Sequence, residues 1–304
     1  MRQKGLTLEF ETAEDTVFAL AAADGSCFAA CSAGLFRSTD AGASWQRLRP
    51  SSEVVTTAVA VSPTFASDRS VFAAVKGGIL RSSDGGDTWY TSGFPAPPPL
   101  FSCLAVSPDF ERDGVLLAGT LEDGVFSSAD RGLRWQPWNF GLFDLSVLCL
   151  ALSPEWRRDE TVYAGTETGL YRSDNGGRAW RFTGFPTEFA PVLSLALAVD
   201  STSGKTLLFA GGEAHGLQAS CDQGASWQGL TLDSAVNQLH VQPAADGGFA
   251  LYALVNEGVV RSADGGKSWA VAQPTEAVPT AMLLLDDALL LGVHGRGIMR
   301  LPFG

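Results

Sequence analysis

The stretch Ser82-Ser83-Asp84-Gly85-Gly86-Asp87-Thr88-Trp89 contains the pattern Ser-x-Asp-x-Gly-x-x-Trp, and this octet decides the fold because it recurs along the chain. The Asp carboxylate of such an octet can accept hydrogen bonds from backbone N–H groups in a tight turn. The glycine supplies a residue with positive φ, and the tryptophan begins the next strand and packs against a neighbouring sheet. The octet therefore predicts a hydrogen-bonded turn between two consecutive strands.

Six copies of the octet occur in the 304 residues. The residues at their Asp position are Asp40, Asp84, Asp130, Asn175, Asp222 and Asp264. The residues at their Trp position are Trp45, Trp89, Trp135, Trp180, Trp227 and Trp269, so successive copies are 42 to 47 residues apart. This period is typical of the four-stranded blades of a β-propeller. The six carboxylate or amide positions are interpreted as structural, because near-identical groups in separate repeats cannot share one substrate.

These octets resemble those of the Asp-box (BNR) repeat β-propeller superfamily, which includes sialidases, sortilin-type receptors, some glycoside hydrolases and photosystem II assembly factors. The resemblance covers nearly the whole chain. It is strongest, at the level of the repeat, to proteins related to the photosystem II assembly factors. It implies an all-β fold and leaves the function open, since this superfamily contains both enzymes and binding proteins.

The two ends of the chain predict a seventh blade that lacks an octet. Segments from Ala281 to Asp286, Ala288 to Val293 and Gly297 to Leu301 have the composition of three strands, and Leu6 to Glu11 supplies a fourth. Pairing these segments would remove two exposed strand edges. We therefore expect one domain over residues 1–304, a closed seven-bladed propeller whose last blade is formed by about 280–304 plus 5–11.

Composition restricts the class of partner. The formal net charge is -12 and the pI is about 4.6, so the chain repels phosphate backbones and nucleic acid is not expected as a partner. No run of apolar residues is long enough to span a bilayer, and residues 1–10 lack the apolar core of a signal peptide. With five cysteines and no Cys-x-x-Cys spacing, we expect reduced thiols, no metal or other cofactor, and a cytoplasmic location.

Residues that recur from blade to blade are interpreted as scaffold, and an arginine at one place in the third strand of five blades is one of them. This position holds Arg37, Arg81, Arg172, Arg261 and Arg300. Arg300-Leu301-Pro302 resembles the Arg-Ile/Leu-Pro motif of sialidases, but here it ends the chain rather than preceding the first octet. No catalytic residue is therefore predicted.

Residues that break the repeat are the candidates for function, and they gather in the turns between second and third strands and in the links between blades. The candidate ligand-binding residues are Glu122, Asp123, Trp138, Phe140, Glu167, Glu213, His215, Glu257, His294 and Arg296. We expect them to surround the mouth of the central channel. Acids and aromatics together favour a monomeric, non-catalytic scaffold that binds a protein or peptide, with a glycoside hydrolase or carbohydrate-binding lectin as the alternative.

Overall fold

The computed structural model describes residues 5–9, 15–48, 54–94, 96–200, 204–213, 216–244 and 248–303. The fold is a seven-bladed β-propeller of four-stranded antiparallel sheets with a few short helices, as predicted. Six sheets are formed by strands that follow one another in the chain, and each includes one octet as its third turn. The seventh combines strands from the two ends.

The first strand, β1 (Leu6–Glu9), belongs to sheet 7, and sheet 1 begins with the second strand. The strands of sheet 1 are β2 (Val17–Ala23), β3 (Ser26–Cys31), β4 (Gly34–Ser38) and β5 (Gln46–Arg47); those of sheet 2 are β6 (Thr56–Val61), β7 (Val71–Val75), β8 (Gly78–Ser82) and β9 (Tyr90–Ser92); those of sheet 3 are β10 (Phe101–Val106), β11 (Leu116–Thr120), β12 (Val125–Ser128) and β13 (Gln136–Pro137). The second strands β3, β7 and β11 are buried along their whole length. This explains why their sequences are almost continuously apolar rather than alternating.

Sheets 4 to 6 repeat the same order. The strands of sheet 4 are β14 (Val147–Leu152), β15 (Val162–Thr166), β16 (Leu170–Ser173) and β17 (Arg181–Phe182); those of sheet 5 are β18 (Val192–Val199), β19 (Thr206–Gly212), β20 (Leu217–Ser220) and β21 (Gln228–Gly229); those of sheet 6 are β22 (Gln238–Pro243), β23 (Phe249–Val255), β24 (Gly258–Ser262) and β25 (Ala270–Pro274). The fourth strands of sheets 4 and 5 lie at the edge of their sheets and have two residues each, all of them exposed.

Sheet 7 joins the two ends of the chain, and this confirms the predicted pairing. Its order is β1-β28-β27-β26, with β26 at Pro279–Leu284, β27 at Ala288–Val293 and β28 at Gly297–Pro302. Leu8 pairs with Ile298, and Leu6 is buried. The Trp45 indole N–H of sheet 1 donates a 3.2 Å hydrogen bond to Thr7 Oγ1. Residues 10 and 11, which the sequence assigned to this strand, lie outside the described residues.

Three one-turn helices, which were not predicted from the sequence, follow the first strands of sheets 2 to 4. They are α1 (Phe65–Asp68), α2 (Phe110–Asp113) and α3 (Trp156–Asp159), and a 3₁₀ helix spans Thr187–Phe189. Each α-helix begins with a buried aromatic ring. Each ends with an Asp that accepts a hydrogen bond from the serine before the helix, at 2.6 to 2.8 Å. This pairing of a serine with an aspartate six residues later closes the turn.

The chain divides into two compact units. Unit 1 comprises Met1–Ala118, Phe126–Gln136 and Ala277–Gly304, and unit 2 comprises Gly119–Val125 and Pro137–Glu276. In unit 1, apolar clusters lie between neighbouring sheets, as where Phe28 meets Phe65 with ring centroids 5.9 Å apart. In unit 2 the largest described cluster packs sheets 5 and 6 around Phe209 and Leu251.

The octets form the hydrogen-bonded turns that the sequence predicts. In the first octet, Ser44 donates from its backbone N–H to Asp40 Oδ1 at 2.8 Å and from its hydroxyl to Asp40 Oδ2 at 2.6 Å. Ser38 donates to the same carboxylate and accepts from the Gly42 N–H. Hydrogen bonds from Ser44, then from Ser38, lower the pKa of Asp40 to about 2. Asn175 accepts the bonds from the Ser173 hydroxyl and the Ala179 N–H through its amide oxygen, and Ala179 has no hydroxyl to match that of Ser44.

Candidate functional site

Each sheet divides its turns between two sides, because consecutive antiparallel strands alternate in direction. We call the side with the first-to-second and third-to-fourth strand turns the octet side. The side with the second-to-third strand turns and the links that leave the fourth strand is called the link side. The octets are nearly identical from sheet to sheet, whereas the residues of the link side are not.

On the link side of unit 2, the residues that are Asp, Glu, Lys or Arg are all acidic. They are Glu122, Asp123, Asp144, Glu167, Glu188, Glu213, Asp233, Glu257 and Glu276. Asp144 is half-buried and the other eight are exposed. The eight basic residues of the unit belong to strands or to turns of the octet side, and one of them, Arg178, reaches Trp138 of the link after sheet 3. They are Arg157, Arg158, Arg172, Arg178, Arg181, Lys205, Arg261 and Lys267. This segregation gives the link side of unit 2 a negative potential.

The turn that carries Glu122 and Asp123 is held by the link that follows sheet 3. Asn139 of that link donates from Nδ2 to the Asp123 carbonyl at 2.8 Å and accepts from the Val125 N–H at 2.8 Å. A Cβ atom at Gly124 would lie 2.4 Å from Asn139 Oδ1, so this close approach requires a glycine. The two acidic side chains therefore project from a fixed backbone.

Asp144 holds the other end of the same link against the turn of sheet 4. Its Oδ2 accepts hydrogen bonds from the Thr168 N–H at 2.8 Å and the Thr168 hydroxyl at 2.6 Å, and its Oδ1 accepts from the Ser146 N–H at 3.0 Å. Burial acts to raise the pKa of Asp144, but these hydrogen bonds outweigh it and the pKa lies below its ordinary value. Asp144 therefore positions the turn that contains Glu167.

Between these two anchors the link exposes two aromatic rings. Phe140 and Phe143 are 81% and 88% exposed, the highest fractions among the large apolar side chains that the structure describes. The backbone beneath them is fixed, because the Phe140 carbonyl accepts a 2.8 Å hydrogen bond from the Trp180 N–H and Leu142 is buried. Exposed aromatic rings on a fixed backbone are typical of binding surfaces.

Trp138, a further candidate, is more enclosed than these phenylalanines. The Arg178 guanidinium lies over its ring, 5.1 Å from the centroid. The Trp138 carbonyl accepts a 2.8 Å hydrogen bond from the Trp180 indole N–H. Trp138 therefore contributes to the packing of the link, and its ring is half-buried.

The remaining candidates are distributed over both units. In unit 2, Glu213 and Glu257 are exposed, and His215 lies outside the described residues. In unit 1, His294 Nδ1 and Thr16 Oγ1 are 2.7 Å apart in a hydrogen bond, and Arg296 is half-buried. Unit 2 thus brings together Glu122, Asp123, Trp138, Phe140 and Glu167 on adjacent turns and one link.

The described residues contain no group of three or more His, Cys, Asp and Glu side chains that could hold a metal ion. The five cysteines, all within the described part of the chain, form no disulfide. Burial raises the pKa of Cys27 to about 11 and that of Cys31 further. Among the described residues, no helix has the length and apolar composition that crossing a membrane requires.

Comparison with known proteins gives structural likeness alone. No model of a known protein family matches the chain, and no curated protein matches its sequence. Among solved structures, YCF48 bound to a D1 peptide superposes with a TM-score of 0.70 at 16% identity, over 100% of this chain and 99% of that one. The GH74 xyloglucanase of Xanthomonas campestris has a TM-score of 0.72 at 20% identity, over 96% of this chain and 52% of that one.

A third likeness is to the extracellular domain of the one-component system BT4673 of B. thetaiotaomicron. It has a TM-score of 0.71 at 15% identity, over 98% of this chain and 40% of that one. These likenesses establish the fold. The chain spans about half the length of the xyloglucanase and two fifths of the BT4673 domain, and nearly all of YCF48.

Proposed function

We propose that this chain is a non-catalytic binding propeller that engages a protein or peptide segment on the link side of unit 2. The observation that carries the proposal is the segregation of charge, with nine acidic residues and no lysine or arginine in these turns and links. Such a surface attracts a cationic ligand over a distance of about 8 to 10 Å at physiological salt.

The exposed aromatics specify the ligand further. Phe140 and Phe143 lie on the link between the anchors Asn139 and Asp144, and so close to Glu122, Asp123 and Glu167 in the fold. A peptide segment that carries lysine or arginine beside an apolar side chain would contact both kinds of group. The acids would supply attraction and orientation, and the aromatic rings would supply most of the affinity.

The comparison with YCF48 supports this proposal, because a propeller of the same fold and nearly the same length binds a peptide. We also propose that the six octets are Asp boxes of the BNR type and that the protein is a cytoplasmic monomer. The location of the candidate residues around a channel mouth stays a prediction. The alternative, a glycoside hydrolase or lectin, is supported only by the fold likeness to the GH74 enzyme.

The test is a binding measurement with an array of twelve-residue peptides that combine lysine or arginine with an apolar residue. The four-site variant Glu122→Lys, Asp123→Lys, Glu167→Lys and Glu257→Lys reverses the charge of four of the nine link-side acids. A matched control reverses four acids of the octet side, Glu111, Glu155, Asp174 and Asp286. Both variants change the net charge by the same amount. The control also removes the ion pairs of Glu155 with Arg158 and of Asp174 with Arg181, so its folding is checked by thermal denaturation.

We expect the link-side variant to bind the selected peptide about tenfold to thirtyfold more weakly, since four exposed charges each contribute up to about 0.5 kcal/mol. The octet-side control should stay within about twofold of the wild-type affinity. Equal weakening in both variants would contradict the proposal. A parallel glycan array and a panel of chromogenic glycosides test the alternative, and glycan binding or turnover there would replace the peptide-binding proposal.

A further inference from the structure

The groove between neighbouring sheets on the octet side is occupied by the repeat arginine where that residue is present. In sheet 1, Arg37 Nη1 donates to the Gly85 carbonyl of the next octet at 2.8 Å and pairs with Asp87 Oδ1 at 2.6 Å. The groove is lined by charged groups, including Arg47, and has a volume of about 520 Å³. Arg37 thus ties sheet 1 to the octet of sheet 2.

The corresponding groove between sheets 5 and 6 lacks both members of this ion pair, which among these grooves is formed only between sheets 1 and 2 in the described residues. Ala219 stands one residue before the octet serine, where sheet 1 has Arg37. Lys267 stands at the sixth octet position, where sheet 2 has Asp87. The charge of the octet residue is therefore reversed, and the side chain at the arginine position is reduced to a methyl group.

A cavity of about 300 Å³ lies in this groove, within unit 2. Its walls are formed largely by Leu207, Phe209, Trp227 and Leu230, with Lys267 and the exposed thiol of Cys221 also lining it. The octet that carries Lys267 is held in place, because Thr231 Oγ1 donates to the Lys267 carbonyl at 2.7 Å. No ion pair of Lys267 occurs among the residues that the structure describes.

We infer that this cavity binds a small amphipathic organic anion, an aromatic or aliphatic body that carries one acidic group. The apolar walls take the body of the ligand, and the Lys267 ammonium pairs with the acidic group. A volume of about 300 Å³ is at the lower end for ligand pockets. This site is on the octet side and is independent of the proposed peptide-binding function.

The probe for this site is 8-anilinonaphthalene-1-sulfonate, a fluorescent aromatic anion, together with its uncharged analogue N-phenyl-1-naphthylamine. Because the chain carries a net charge of -12, an anionic probe is repelled from most of the surface, so its binding reports a local cationic site. The variant Lys267→Gln removes the charge, and Lys205→Gln removes the other lysine of unit 2 as a control. The double variant Ala219→Arg/Lys267→Asp restores the pair that Arg37 and Asp87 form.

We expect the wild-type protein to bind the sulfonate probe with a Kd on the order of 10 µM. Lys267→Gln should weaken that binding about fivefold and change the affinity for the neutral analogue by less than about twofold. The double variant should lose binding of both probes, and Lys205→Gln should behave as wild type. The link-side variant described above should also bind both probes normally, which separates this test from that of the proposed function.

Alkylation of Cys221 provides a readout that does not depend on substitution. Saturating sulfonate probe should slow the reaction of Cys221 with iodoacetamide, measured by mass spectrometry of the peptide that contains it, because the thiol lines the cavity. Unchanged alkylation in the presence of bound probe would overturn the inference. Equal binding by the wild type and Lys267→Gln would overturn it as well, even if the double variant failed to fold.

Discussion

The substitution Ser82→Ala removes one hydroxyl from the turn of the second octet, and its cost follows from three hydrogen bonds. The Ser82 hydroxyl is fully buried, donates to Asp84 Oδ1 at 2.7 Å, and accepts from the Gly86 N–H at 2.8 Å and the Asp84 N–H at 3.3 Å. Alanine leaves the Gly86 N–H buried without its acceptor, which costs about 1 to 3 kcal/mol. We therefore expect the free energy of unfolding to fall by about 2 kcal/mol.

The measurement is urea denaturation of the wild type, Ser82→Ala and a control in the same octet. Ser83 is exposed and Ser83→Ala should change the free energy of unfolding by less than about 0.5 kcal/mol. Asp84→Asn should cost less than Ser82→Ala, because the Asn175 amide oxygen accepts the serine and backbone bonds in the fourth octet. It should still have a measurable effect, because the Thr88 hydroxyl also donates to Asp84 Oδ2 and Ala179 has no such group. If Ser82→Ala lowered the free energy of unfolding no more than Ser83→Ala, the octet hydrogen bonds would not stabilise the fold.

Three further predictions concern stability. Deleting residues 1–9 removes the outer strand of sheet 7 and should lower the melting temperature by about 10 °C, since it exposes apolar surface worth several kcal/mol; a melting temperature within about 2 °C of wild type would contradict the pairing. Because the folded pKa of Asp40 lies near 2, below its ordinary value, the stability that it contributes is fully present above pH about 4 and lost as the pH falls through about 2; Asp40→Asn should flatten that part of the pH profile of urea midpoints. Gly216→Ala should unfold or destabilise the protein by about 3 kcal/mol or more, because the new Cβ would lie 1.6 Å from the Leu232 carbonyl oxygen. Gly204→Ala, also at positive φ but with open space around it, should cost only about 1 kcal/mol; equal thermal shifts for the two variants would refute the steric argument.

The architecture was predictable because each octet encodes its own turn. The hydrogen-bonding groups of Ser38, Asp40 and Ser44 are within six residues of one another, so a local pattern is enough to identify them. The one-turn helices were not predicted, since four residues are too few for a helical period. Their signal is the serine that bonds an aspartate six residues later, as Ser62 does with Asp68.

The candidate site was predictable in composition but not in geometry. The sequence shows that the turns and links of unit 2 are acidic and aromatic. It does not show that Asn139 holds the turn of Asp123, that Asp144 holds the turn of Glu167, or that Arg178 covers Trp138. These contacts join residues 16 to 40 positions apart, and no local pattern encodes them.

The groove between sheets 5 and 6 was visible in the sequence only as a missing arginine, and its place in the fold came from the structure. The repeat arginine is missing at Ala219, which can be read from an alignment of the blades. The hydrogen bonds of Arg37 show that this strand position faces the next octet. By the same geometry, Ala219 faces the octet in which Lys267 stands at the position of Asp87.

Hydrogen–deuterium exchange with a bound peptide tests the central claim, that ligand binding occurs on the link side of unit 2. The free protein and the complex with the peptide selected from the array are compared, and exchange is followed at every backbone amide. We predict that protection is concentrated in residues 120–124, 138–146 and 167–169, and that the six octets exchange as in the free protein. Protection confined to the octets would contradict the account.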